Sequence, residues 1–212
     1  MTTENTEKRL IALVDGSVYS KSVCDHAAWI AGRTSAAVDL LHVIGRRETA
    51  SAPTNLSGNI TLGARTALLE ELSALDEQKA KLAQKRGRAI LEDAKEIIEG
   101  GGIGEVSAKL RIGDIVETVG EFEKNAEMLV IGKRGEAADF AKLHLGSNLE
   151  RIVRAAKKPV FVASRAFKPI KRFLIAFDGG TSSMKAVDHV SRSPLFAGLE
   201  CRLLMVGAET AE

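Results

Sequence analysis

The sequence has only two cysteines, Cys24 and Cys201, and no CxxC pair. That argues against a disulfide framework or a redox centre. Both thiols sit in apolar surroundings and are expected to be buried in a reducing compartment. No apolar run approaches the length that spans a bilayer. The opening stretch Met1-Thr2-Thr3-Glu4-Asn5-Thr6-Glu7 is polar and acidic, unlike a secretory signal, so the expected location is cytoplasmic, with no membrane partner. Neither charge sign is in excess: the formal net charge is +2, too small for a protein whose main partner is a nucleic-acid backbone. Several motifs are also missing. There is no G-x-x-x-x-G-K-S/T loop, no Ser/His/Asp arrangement on a nucleophile elbow, and no cysteine and histidine spacing suited to zinc. A receiver domain would need an acidic pair after its first strand, and Val14-Asp15-Gly16 offers one acid.

What is present is an alternation of strands and helices. Arg9 to Val14 is a short apolar run closed by Asp15-Gly16-Ser17, and a run of this kind suits a parallel sheet covered on both faces. Val18 to Gly32 then shows helical spacing, with Val23, Ala27 and Ile30 on one face and Gly32 placed to end the helix. Ala37 to Ile44 is a second strand, joined by a crossover that should be right-handed. Gly45 to Gly63 reads as a long surface loop. Ala64 to Glu99 is a long helical stretch with a broken apolar stripe through Leu68, Leu72, Leu75 and Leu82. Because that stripe fails as a heptad seam at Lys79 and Arg86, a sheet-covering helix is expected rather than a protruding coiled-coil arm. Strands follow at Glu105–Leu110, Met128–Ile131 and Pro159–Ala163, and helices at Asp114–Lys124 and Gly146–Ala156. Pro159 donates no hydrogen bond, which suits its strand to a sheet edge. Five strands alternating with four helices predict a doubly wound, open parallel α/β domain over residues 1–165.

After a short linker the pattern restarts. Arg172 to Gly180 repeats Arg9 to Ser17, and the same offset, held without a gap, carries Asp25-His26 onto Asp188-His189 and Leu40 to Val43 onto Leu203 to Val206. Residues 171–212 therefore form a partial second module, one strand–helix–strand unit. Cys24 falls on Val187 and Cys201 on Val38, so both thiols hold positions that accept a plain hydrophobe. A unit of this size cannot bury enough apolar surface by itself. Arg172 to Val206 is expected to pack against the first domain or a second chain, or to be poorly ordered.

Chemistry is expected where strand order reverses, beyond the carboxyl ends of the strands. Two turns carry suitable residues there, Asp15-Gly16-Ser17 and Gly132-Lys133-Arg134-Gly135, the second leading on to Gly146, Ser147 and Asn148 at the start of a helix. Gly132 and Gly135 let backbone approach a ligand without an intervening Cβ. Gly146 and Ser147 place backbone N–H groups and a hydroxyl at a helix N-terminus, an anion site suited to nucleotide phosphates. Asp15 reads equally as a ligand to ribose or phosphate-bound Mg²⁺ and as a cap of the first helix. Lys133 and Arg134 add positive charge, and His144 reads as a surface residue.

RLIALVDGS, the LLHV strand end and the G-K-R-G…G-S stretch resemble the universal stress protein family in its tandem form. The nucleotide-binding pattern of that family is G-x2-G-x9-G-S/T; here Glu136 to Leu145 supplies ten residues in the second gap, so one must bulge out if the glycines keep their places. The resemblance implies the strand order 3-2-1-4-5 and ATP as ligand. It places Asp15 and the Val43 backbone against adenosine, Gly132 near ribose, and Arg134, Gly135, Gly146 and Ser147, with Asn148 next in line, around the phosphates. A stress-response switch or chaperone-like partner is then expected, as a homodimer or with a partner chain through the fifth strand or the partial module. No general base is visible beside the loop, so hydrolysis is expected to be slow at most. The alternative is a nucleotide-free oligomeric scaffold.

Overall fold

Alternation along the first strand sets the architecture. In β1 (Arg9–Leu13) Leu10 and Ala12 face one side and Ile11 and Leu13 the other, and all four are buried. A strand apolar on both faces belongs inside a parallel sheet. The computed structural model, which describes residues 8–45, 48, 62–135 and 146–207, places it there. β1 lies between β2 (Ala37–Ile44) and β4 (Met128–Gly132), with β3 (Val106–Ile112) and β5 (Val160–Ala163) at the edges. The five strands are all parallel, in the order β3-β2-β1-β4-β5. This is the order and edge placement expected from the sequence.

Helices α1 (Ser20–Thr34) and α2 (Leu62–Gly100) cover one face, bringing Val23, Ala27, Ile30, Leu91, Ala94 and Ile98 against Leu10, Val38 and Leu40. On the other face α3 (Ile115–Phe122) and α4 (Ser147–Ala155) bring Val119, Leu149 and Ile152 against Ile11, Leu13, Leu129 and Ile131. Each fully buried Leu or Ile contributes about 1.5–3 kcal/mol. Several polar residues are buried as well, and one of them joins three strands. Asp39 of β2 is buried, with Arg9 Nε and Nη2 donating to it at 3.1 and 2.7 Å, the Ser107 hydroxyl donating too, and Lys109 Nζ at 3.5 Å. The group ties β1, β2 and β3 together. Burial pushes the carboxyl upward, but the hydrogen bonds from Arg9 and Ser107, with the charges of Arg9 and Lys109, outweigh it and hold it below the ordinary carboxylate range.

Three expectations are corrected. First, α1 ends at Thr34, and the left-handed residue after it is Ser35 (φ 55°), whose N–H donates to Ala31 O; Gly32 remains inside the helix. Second, α2 covers the sheet with its C-terminal half alone. Gly87 allows the close approach, since a Cβ there would lie 2.7 Å from Leu110 and 2.9 Å from His42, whereas between Gly63 and Leu82 no described side chain is buried. Third, Cys201 is exposed while Cys24 is fully buried. Burial pushes the Cys24 thiol up to about 12, and Cys201 lies on a strand that no helix covers. Of the long loop expected before α2, most falls outside the described residues, and Leu62 and Gly63 already belong to the helix.

The last segment consists of β6 (Arg172–Phe177), α5 (Thr181–Arg192) and β7 (Glu200–Met205), with β6 and β7 paired in parallel. A 3-10 turn at Pro194–Phe196 docks it on the first domain. Leu195 is buried in the core under α1, Arg33 Nε donates to Leu195 O at 2.7 Å, Arg33 Nη2 donates to Ala197 O, and Phe196 packs on Phe173. Leu174, Leu203 and Leu204 stay exposed.

Leu195→Asp should free this segment, so that limited proteolysis trims the chain back to the first domain while the parent resists. Asp39→Asn should cost about 2 kcal/mol at pH 7, read by urea unfolding. Because the folded carboxyl is depressed, its stabilisation is complete above the unfolded value of about 3.9 and is lost as pH falls through the folded one; the difference between parent and variant should therefore shrink in acid.

Candidate functional site

β1 and β4 are parallel neighbours, so the turns that follow them open at the same end of the sheet, at the point where strand order reverses. The first turn is held by its own side chains. Asp15 Oδ1 accepts the Ser17 N–H at 3.0 Å and the Ser20 hydroxyl at 3.2 Å, while Ser20 Oγ accepts the N–H groups of Asp15 and Gly16 at 3.2 and 2.9 Å. Gly16 is left-handed (φ 76°), and a Cβ there would lie 2.7 Å from Ile90 Cδ1 of α2, so glycine is required on both counts. Of the two readings of Asp15, the turn-forming one describes Oδ1. Oδ2 points across the crevice, where a Cβ on Gly135 would come within 2.7 Å of it.

The second turn begins where β4 ends. A Cβ on Gly132 would lie 2.8 Å from Tyr19 Cβ. The room left by Gly132 and Gly135 is therefore taken by Tyr19 and Asp15 of the neighbouring turn, and not simply opened to a ligand as the sequence suggested. Lys133 is exposed and its N–H donates to Ala163 O at 3.0 Å; Arg134 is half-buried. The chain re-enters at Gly146, whose N–H donates to Lys133 O at 3.4 Å. Gly146 caps α4 without a side chain to satisfy the amides of the first turn. The helix is anchored from the side by Arg151, which donates to Asp114 at 2.6 Å, and Asp114 itself accepts the Val116 and Glu117 N–H groups at the start of α3. That guanidinium and those amides hold the Asp114 carboxyl below its usual range. The ten-residue gap, with His144, lies outside the described residues, and so does the Ser147 side chain.

Between the turns lies a cavity of about 460 Å³, within the size range of small-molecule sites. Of the residues singled out in the sequence, Asp15, Val43, Gly132, Arg134, Gly135, Gly146 and Asn148 line it, and Ser147 opens the helix beside them. Leu13, Leu41, Ile115, Ile131 and Leu149 give it an apolar wall, while Asp15, Glu48, Arg134 and Arg86 supply charge. Such a pocket suits a ligand with an apolar ring at one end and an anion at the other. Sequence reasoning missed Tyr19, His42, Glu48 and Arg86 as lining residues. His42 is buried in β2, and its Nδ1–H donates to Val14 O at 2.7 Å, which steadies the strand end before Asp15. Arg86 arrives from α2, where its only signal is a break in the apolar stripe.

Comparison with known proteins converges on one family. Residues 7–164 match the model of the universal stress protein family. Universal stress protein Slr1230 of Synechocystis sp. is 33% identical over 201 residues, covering 94% of this chain and 70% of that protein. Among solved structures, a universal stress protein from Archaeoglobus fulgidus superposes with a TM-score of 0.63 at 15% identity, over 93% of this chain and 77% of that one. A universal stress protein solved in complex with cAMP gives a TM-score of 0.50 at 18% identity, over 76% and 98%.

Packing at the glycines makes a contrast that can be measured. Gly132→Ala should cost about 1–3 kcal/mol, because Tyr19 Cβ must give way. Gly146→Ala, whose Cβ would sit 3.4 Å from Arg134 Cα, should cost less than half as much by urea unfolding.

Proposed function

The chain belongs to the universal stress protein family, and on that premise we propose that it binds an adenine nucleotide, ATP, at the carboxyl ends of β1 and β4. The cavity carries the reading: one space gathers an apolar wall, two carboxylates, two guanidiniums and a helix N-terminus at the reversal of strand order. In this reading Asp15 and the backbone at Val43 face adenosine and Gly132 lies beside the ribose. Arg134, Gly135, Gly146, Ser147 and Asn148 surround the phosphates, where the first-turn amides of α4 favour negative charge. Mg²⁺ would ride on phosphate oxygens with Asp15 as its protein carboxylate. A fold relative held with cAMP supports the choice of an adenine nucleotide.

The same reading makes the protein a cytoplasmic, nucleotide-dependent switch or chaperone-like partner in the general stress response. It divides the chain into a nucleotide domain over 1–165 and a partial second module over 171–212. Support for that division comes from the turn after β6. There Asp178 Oδ1 accepts the Gly180 N–H at 2.8 Å and the Ser183 hydroxyl at 2.6 Å, and Gly179 repeats the φ of 76° found at Gly16. The edge of β5 and the exposed strand β7 are the surfaces on which this reading seats a second copy or a partner chain.

Titration with a fluorescent ATP analogue tests the reading. The parent should saturate, and competition with ATP should release the probe. Gly135→Val, which drives a side chain against Asp15, and Gly146→Val, at the mouth of α4, should each weaken binding at least tenfold, with circular dichroism confirming that the variants fold. A flat titration of the folded parent up to millimolar ligand would leave the nucleotide-free scaffold as the reading.

A further inference from the structure

α2 has 39 residues, roughly 58 Å of helix, against eight residues in β2, the longest strand it covers. Its N-terminal half extends beyond the sheet. There Leu68, Leu69, Leu75 and Leu82 are 40, 50, 43 and 68% exposed. Helix propensity does not account for these residues, since Glu, Gln and Lys sustain a solvated helix about as well as Leu. Their order does. Positions 65, 68, 72, 75, 79 and 82 step by alternating threes and fours, the seam spacing of a coiled coil, with Lys79 and, at its end, Arg65 as the polar members. The Glu77–Lys81 ion pair, at 2.6 Å, falls on the opposite, outward face.

We propose that this stripe is a self-association surface, on which two copies of the chain pair as an antiparallel two-helix coil through residues 65–82. Charge selects both the occupant and the direction. In a parallel pair each seam residue meets its own copy, so Lys79 would face Lys79, and Glu71 would flank Asp76 across the seam; both contacts are repulsive. In an antiparallel pair centred between Leu72 and Leu75, Leu72 of each copy packs on Leu75 of the other. Leu68 covers the aliphatic stem of the other copy's Lys79, and Leu82 that of the other copy's Arg65. The Lys79 ammonium then comes within reach of Glu71 of the facing helix, twice over by symmetry. A lysine within the seam lowers the strength of a coil while fixing its register and partner, so the association should be reversible and in the micromolar range. It stands apart from the nucleotide reading and from the β5 edge.

The test is sedimentation equilibrium on the full chain from 1 to 200 µM. The parent should show a monomer–dimer equilibrium. Leu68→Glu with Leu75→Glu, at positions 40 and 43% exposed, should leave a monomer with an unchanged thermal midpoint. Lys79→Glu or Glu71→Lys alone should weaken the dimer at least tenfold, and the two together should restore it. The proposal is overturned by a parent that stays monomeric, by a dimer that survives the double leucine variant, by charge reversal that fails to restore association, or by a dimer lost to Val162→Asp on the β5 edge with the helix intact.

Discussion

Everything in the first domain depends on β1 being buried on both faces. Leu10 and Ala12 demand cover on one side and Ile11 and Leu13 on the other. A strand so placed must have neighbours on both edges and helices above and below. Right-handed crossovers then leave few ways to thread the chain. β2 and its helices wind outward to one side, and β4 and β5 to the other. The two strands that flank the reversal send their turns to the same end, and the crevice between those turns is a consequence of the winding. No side chain had to be selected to create it.

What selection acts on is the width of that crevice. Gly132 admits Tyr19, and Gly135 admits Oδ2 of Asp15. The turns thus meet closely at these two points, and the cavity lies beside them. A glycine in such a loop serves the protein before it serves any ligand: a Cβ at Gly132 would separate the turns, and the wall of the pocket would move with them. Asp15 shows the same economy. One oxygen closes its own turn through Ser17 and Ser20, and the other is left facing the crevice. Of the roles the sequence posed, Oδ1 takes the turn-forming one, while α1 begins after Tyr19 without a side-chain cap.

The features legible in the sequence are those that short spans determine. The Asp-Gly turns, the strand runs and the glycine loop each depend on a few adjacent residues, and they fell where the pattern put them. Features that need distant partners were not legible. Tyr19 and Arg86 line the cavity only because α1 and α2 lie where tertiary packing sets them. Ser35 took the left-handed position expected near Gly32, and α1 runs two residues further, to Thr34, where the Ser35 N–H closes it on Ala31 O. Cys201 has the same strand position as Val38, yet Val38 is sealed by two helices while Cys201 is open to solvent. A residue's local sequence pattern predicts its backbone. Its burial depends on what the rest of the chain brings to cover it.

That distinction separates the two Asp-Gly turns as well. Around Asp178 the two bonds that the carboxylate accepts, from the N–H two residues on and the serine hydroxyl five residues on, match those that Asp15 accepts. The turn therefore forms from its own few residues, whether or not a sheet surrounds it. A crevice needs more: a parallel strand on the far side of the reversal, a glycine loop following it, and a helix beginning where the loop returns. Around Asp15 those parts are supplied by β4, by Gly132 to Gly135 and by α4. The outer half of α2 extends the logic to the whole molecule. Its inner half is fixed by Leu91, Ala94 and Ile98 in the core, so the leucines farther out are held in register by a rigid helix rather than by a loop. A helix anchored at one end presents its free face at a constant angle, and Arg86, at the junction of the two halves, puts the cavity and that face on a single rigid element.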